Sequence, residues 1–155
     1  MFARDESIHI EASPEAVYDY VSDIGRHPEW AKQKLVMRPL GDGRFESHMT
    51  MGPLKARAVI HVDVAERPTR FAYVADDDVS GPHRWHFDIT PEGTGSRVSF
   101  GLERMHETFP FTLVQPILLF PLIGHPGMRA GLAQIKARVE KSQELPSAAN
   151  TGAQG

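Results

Sequence analysis

The sequence predicts an α+β fold in which a curved antiparallel sheet of about seven strands wraps around a long C-terminal helix, with two short helices after the first strand. Three observations carry this. Most of the chain between residues 35 and 103 alternates apolar and polar side chains with a period of two. A capped helical motif precedes that region. A single apolar stripe with helical spacing follows it.

Ser7-Ile8-His9-Ile10-Glu11 is the first alternating run, with Ile8 and Ile10 facing inward. Ser13-Pro14-Glu15-Ala16 then starts a helix. Ser13 can cap free backbone amides, and Pro14 takes the first helical position, where its missing N–H costs nothing. Val17, Val21 and Ile24 share one face with Tyr20 beside them, and Gly25 supplies a stop. His27-Pro28-Glu29-Trp30 opens a second short helical turn, with Trp30 as its anchor into the core.

Leu35 to Arg38 begins the next strand, and Gly41-Asp42-Gly43 is a turn whose glycines can take positive φ. Arg44 to Met51 places Phe45, Met49 and Met51 on one side and Glu46, His48 and Thr50 on the other. Lys55 to Val64 is the cleanest alternation, with Ala56, Ala58, Ile60, Val62 and Val64 on one face. One wet face and one apolar face mark an antiparallel strand. Arg70 to Ala75 is rich in aromatic and β-branched residues. Asp76-Asp77-Asp78 and Ser80-Gly81-Pro82 read as a loop with an exposed acidic cluster that lacks the spacing of a calcium loop. Trp85, Phe87 and Ile89 alternate with Arg84, His86 and Asp88, and Val98, Phe100 and Leu102 with Ser99, Gly101 and Glu103.

Residues 109–124 read FPFTLVQPILLFPLIG. The segment is shorter than a membrane span of about 20 residues and contains three prolines, so it is read as packed against something rather than spanning or contacting a membrane. It is also a candidate surface for a homodimer. From Met128 to Ser142 the apolar stripe Met128, Leu132, Ile135 and Val139 defines the final helix, in which Gly131 is a weak point unless something packs closely there. Residues 1–143 form one domain. Residues 144–155 are small and polar and are expected to be a disordered tail.

Composition narrows the function. With no cysteine, disulfides, thiolate catalysis and cysteine-bound metals are excluded. Seventeen basic against twenty acidic side chains give a net charge of -3, which argues against nucleic acid as a partner. No apolar signal region opens the sequence, so a cytoplasmic protein is expected. None of the eight histidines forms His-Glu-x-x-His, and His83 and His86 would face opposite sides of a strand. Gly41-Asp42-Gly43 lacks the spacing of a dinucleotide fingerprint. No metal or cofactor is expected.

The opening IHIEASPEAVYDYVSDIGRHPEW carries Pro14, Val17, Tyr18, Val21, Asp23, His27 and Trp30, and a later strand entry carries Gly95-Ser96-Arg97-Val98-Ser99-Phe100. Over roughly residues 5–142 these resemble the SRPBCC (START-like, polyketide cyclase/dehydrase-like) superfamily, in particular its small bacterial members. The resemblance implies a helix-grip fold with a deep hydrophobic cavity, and a role either as a carrier of lipid-, isoprenoid- or polyketide-like molecules or as an aromatase/cyclase. It supplies no invariant catalytic set.

Trp30, Phe45, Met49, Met51, Ile60, Trp85, Phe87, Phe100, Leu102, Met128 and Leu132 are the candidate cavity lining, and the same residues also suit plain core packing. Arg104 and His106 continue the inward phase of the last strand and are the candidate catalytic pair. Arginine could orient a carboxylate, enolate or phenolate, and histidine could move protons near neutral pH. Tyr18 and Tyr73 could each donate a phenolic hydrogen bond. The primary expectation is binding of a hydrophobic small molecule; the alternative is a polyketide aromatase/cyclase or dehydratase using general acid/base catalysis in the same cavity. A third class is an interaction protein docking through residues 109–124.

Overall fold

The computed structural model describes residues 3–31, 34–105 and 125–149. The elements are β1 (Ala3–Ile10), α1 (Pro14–Val21), a 3-10 helix (Ile24–Glu29), β2 (Lys34–Gly41), β3 (Arg44–Met51), β4 (Leu54–Glu66), β5 (Arg70–Asp77), β6 (Gly81–Glu92), β7 (Gly95–Arg104) and α2 (His125–Ala149). The strands form one antiparallel sheet in the order β1-β7-β6-β5-β4-β3-β2. This is the helix-grip arrangement expected from the alternation.

Local chemistry explains the start of α1. The Ala16 amide donates to Ser13 Oγ at 3.2 Å, with Pro14 in the first turn. The helix ends at Val21, ahead of Gly25, because the His27 ring reaches back and its Nε2 donates to the Val21 carbonyl at 2.9 Å. That bond satisfies an orphan carbonyl at the helix end. The 3-10 turn therefore closes at Glu29 instead of opening at His27, and Trp30 follows it into the core, 6% exposed.

The concave face is set by register. Leu35 pairs with Met49, Met37 with Ser47, Ser47 with Ala58, Ile60 with Ala75, Tyr73 with Trp85, and Phe87 with Phe100. Alternation on β4 breaks at Asp63. The pairing slips there, so Val62 opposes Tyr73 but Val64 opposes Ala72. An extra residue in one strand bends it and turns later side chains to the other face. Val64, expected inside, is the residue this turns away, opposite Ala72; Val62, which precedes the slip, is 42% exposed.

In α2, Met128, Leu132, Ile135 and Val139 are buried as the stripe predicts. Each contributes about 1.5–3 kcal/mol by leaving water. The helix lies against β1 and α1. Glu6 on β1 binds His125 at 2.6 Å and Arg129 at 3.0 Å, and Lys136 Nζ donates to the His9 carbonyl at 3.0 Å. A Cβ at Gly131 would stand 3.2 Å from the Trp30 ring, so glycine lets that ring close on the helix. The helix extends beyond 128–142 at both ends. Residues 144–149, expected in the tail, continue it: Lys141, Gln143 and Glu144 are good helix formers, and a polar composition alone does not end a helix. Residues 150–155 and 109–124 lie outside the described residues. No helix among the described residues is long and apolar enough to cross a membrane.

Candidate functional site: a cavity between the sheet and the last helix

Size mismatch on the concave face leaves space. Ala56, Ala58 and Ala75 occupy the middle of the sheet, while Trp30, Tyr73, Trp85 and Phe100 stand around them. The result is a cavity of about 200 Å³. Leu35, Met37, Ser47, Met49 and Ile60 complete the sheet side, and Trp30, Ala31, Gly127 and Met128 the helix side. The aromatic wall is ordered by ring packing. Phe87 stacks on Phe100 with centroids 4.4 Å apart, Trp85 stacks on Phe100 at 5.3 Å, and Trp30 sets its edge against Phe100 at 5.6 Å.

Of the expected lining, Trp30, Met49, Ile60, Trp85, Phe100 and Met128 meet at this cavity. Phe87 and Leu132 are buried in the core behind it, Phe45 packs at the core's margin, and Leu102 is buried opposite Trp85. Met51 stands half-buried at the β3–β4 turn, opposite Leu54.

Four polar residues belong to the wall: His27, Ser47, Tyr73 and Asp77. His27 is 1% exposed, its ring 4.9 Å from that of Trp30 and 5.1 Å from that of Tyr73. Burial drives its pKa from 6.5 down to about 4, against the opposing pull of the Val21 carbonyl and Asp23. It is therefore neutral at pH 7. Burial also raises the Tyr73 phenol well above its usual range, so Tyr73 stays protonated.

Asp77 corrects the reading of the acidic triplet as an exposed loop. β5 continues through Asp77, which turns that side chain toward the cavity and leaves it half-buried. Its Oδ1 accepts from the amides of Val79 at 2.9 Å and Ser80 at 2.6 Å, and its Oδ2 from Ser80 Oγ at 2.7 Å. His83 Nδ1 lies 3.3 Å from Oδ2 and donates to the Gly81 carbonyl at 2.8 Å. Burial alone would raise this carboxyl; the bonds from His83, Ser80 and Val79 outweigh it and hold the pKa at about 2.

Arg104 does continue the inward phase and pairs with His83 across β6 and β7. It is not part of the cavity wall. Its Nε and Nη2 are buried without a hydrogen-bond partner among the described residues, as is His83 Nε2. Arg70 and Arg84 also bury an Nε without a hydrogen bond, but each has a carboxylate close by, Asp88 at 3.6 Å and Asp63 at 2.8 Å, as Arg97 has Glu92 at 2.8 Å. His106 lies outside the described residues. Tyr18 is buried against Phe71, away from the cavity.

The convex face carries ordinary surface pairs, including His48 with Glu46 at 2.6 Å and Arg84 with Glu103 at 3.4 Å. His86 is there too, 3.3 Å from Asp5, on the face opposite His83. Among the described residues no grouping of three His, Asp or Glu side chains could hold a metal ion.

Three elements of the wall carried a signal that sequence reading passed over. Ala56 and Ala58 are small residues at successive inward positions of β4, and Ala75 is another on neighbouring β5, which is how a sheet makes room. Asp77-Asp78-Val79-Ser80 has the spacing of an aspartate that caps its own turn. His27 precedes the anchoring Trp30, yet only the closure of the turn shows that its ring is buried.

A family model described as polyketide cyclase / dehydrase and lipid transport matches residues 1–140. No functionally curated protein matches the chain in sequence. Solved structures share the fold. A Thermus thermophilus protein superposes with a TM-score of 0.70 at 20% identity, covering 91% of this chain and 99% of its own. A conserved Geobacillus kaustophilus protein gives 0.72 at 14% identity, covering 91% and 97%. The two-domain aromatase/cyclase StfQ of the steffimycin biosynthetic pathway gives 0.67 at 15% identity, covering 92% of this chain and 52% of its own.

Proposed function

Because this chain belongs to the polyketide cyclase/dehydrase and lipid transport family, within the SRPBCC superfamily, we propose that it binds a hydrophobic small molecule in the cavity between its sheet and α2. The observation that carries this reading is the cavity itself: about 200 Å³ bounded mainly by aromatic, methionine and aliphatic side chains. An apolar cavity of that size, left unfilled by the described residues, is not a good home for water, and transfer of an apolar ligand into it is favourable. Asp77 and His83 are committed to the β5–β6 turn, so the wall holds little acid–base machinery.

A catalytic reading has one observation in its favour. Two nitrogens of the Arg104 guanidinium are buried with no carboxylate partner among the described residues, and such a group would stabilise a developing enolate. In that reading Arg104 and His106 serve a polyketide aromatase/cyclase or dehydratase.

Native mass spectrometry of protein purified from its own host tests the binding reading. The expected result is a retained apolar molecule of low mass, lost in Ala58→Phe, which fills the cavity from the sheet side. Protein that stays free of ligand there, and when offered hydrophobic compounds, overturns it.

A further inference from the structure

Two side chains in the cavity wall have hydrogen-bonding capacity that no described residue uses. Tyr73 is 6% exposed and its hydroxyl has no partner among the described residues. His27 commits Nε2–H to the Val21 carbonyl, which makes Nδ1 the bare acceptor of a neutral ring, again without a described partner. The two rings stand side by side, centroids 5.1 Å apart at 52°. Burial keeps the phenol protonated and the imidazole neutral, so the pair offers one uncharged donor and one uncharged acceptor. Neither atom is among the fully buried unpartnered ones, so both open onto accessible space, and a ligand group that pairs them there adds hydrogen bonds the apolar wall cannot supply.

We infer that the cavity takes a compact, neutral, hydroxyl-bearing apolar molecule whose hydroxyl accepts from Tyr73 and donates to His27 Nδ1. This deepens the binding reading above and rests on it. A hydroxyl serves both groups at once. A ketone serves Tyr73 alone, and a methyl group serves neither. A carboxylate has no proton for Nδ1 and brings a negative charge to a wall that already holds the ionised Asp77, whose oxygens are engaged by Val79, Ser80 and His83. Size sets the second limit. A cavity of about 150 Å³ holds benzene, and drug-sized ligands occupy about 300–1,000 Å³. About 200 Å³ therefore seats one or two fused rings, and a longer molecule would have to project beyond the described walls.

Equilibrium dialysis at pH 7 tests this with 2-naphthol and 2-methylnaphthalene, which match in size, and with the slightly larger 2-acetylnaphthalene and 2-naphthoate, which match each other. The wild-type protein is expected to bind 2-naphthol about tenfold tighter than 2-methylnaphthalene, with the ketone between them and the carboxylate no better than the ketone. Tyr73→Phe should remove most of the naphthol preference while leaving 2-methylnaphthalene binding unchanged, which also shows that the variant cavity is intact. Equal wild-type binding of 2-naphthol and 2-methylnaphthalene, tightest binding of 2-naphthoate, or a preference that survives Tyr73→Phe overturns the inference and leaves the cavity reading standing. Failure of all four compounds to bind overturns both. The wild-type order alone decides the matter if Tyr73→Phe does not fold.

Discussion

Trp30→Ala is expected to destabilise the protein by about 3–5 kcal/mol and to abolish ligand binding. Trp30 joins three parts of the molecule. It leaves the 3-10 turn, packs against Gly131 of α2, and sets its ring against Phe87 at 5.9 Å and Phe100 at 5.6 Å on the sheet. It also forms the cavity's helix-side wall. Truncation removes a large buried apolar surface and leaves a void beside an existing cavity, where nothing can collapse to fill it. One factor works the other way: Trp30 Nε1 is buried without a described partner, so its removal also relieves an unmet donor. The loss is therefore expected at the lower end of that range. Urea unfolding of wild type and variant measures it, and a loss below about 1 kcal/mol would contradict the role given to this ring.

Acid is expected to weaken the fold through His27. In the unfolded chain this histidine takes up a proton near its ordinary 6.5, but in the folded protein only near 4, because burial penalises the charged ring. Between those values the unfolded state holds more protons. Stability therefore falls as pH drops from about 6.5 toward 4, by about 3 kcal/mol in all. His9 acts in the opposite sense: its bonds to Glu11 and Glu92 raise its pKa, so its contribution is present below the ordinary value and lost as pH rises through the raised one. His9 is on the surface, and its effect is small in salt. Asp77, held at about 2, remains ionised throughout this window. His27→Gln retains a donor for the Val21 carbonyl but does not titrate. Unfolding measured between pH 6.5 and 5, above the range where the paired carboxylates protonate, should show a slope in wild type that the variant lacks. Parallel profiles would contradict the buried neutral imidazole.

Much of the architecture was legible because local and long-range signals agreed. Ser13 and Pro14 name a helix start, the Met128–Val139 stripe names a covered helix face, and Gly131 needed the close neighbour that Trp30 turned out to be. The alternation from Lys55 identified β4 but hid its bulge, since a one-residue slip in pairing leaves no mark on composition. The candidate site was less legible for the same kind of reason. Asp77 sits where a strand ends, and one residue more or less decides whether a carboxylate faces water or the cavity. His27 looked like part of a turn, and only packing against Trp30 and Tyr73 makes it a buried acceptor. Large aromatic residues drew attention as lining, although the space is made by the alanines between them.

A crystal structure of the protein soaked with 4-iodophenol puts the central claim to the most direct test. An anomalous iodine peak is expected inside the cavity bounded by Trp30, Tyr73, Trp85 and Phe100, with the sheet and α2 otherwise unmoved. Iodine found only on the outer surface, with side chains closed over Ala58 and Ala75, would contradict it.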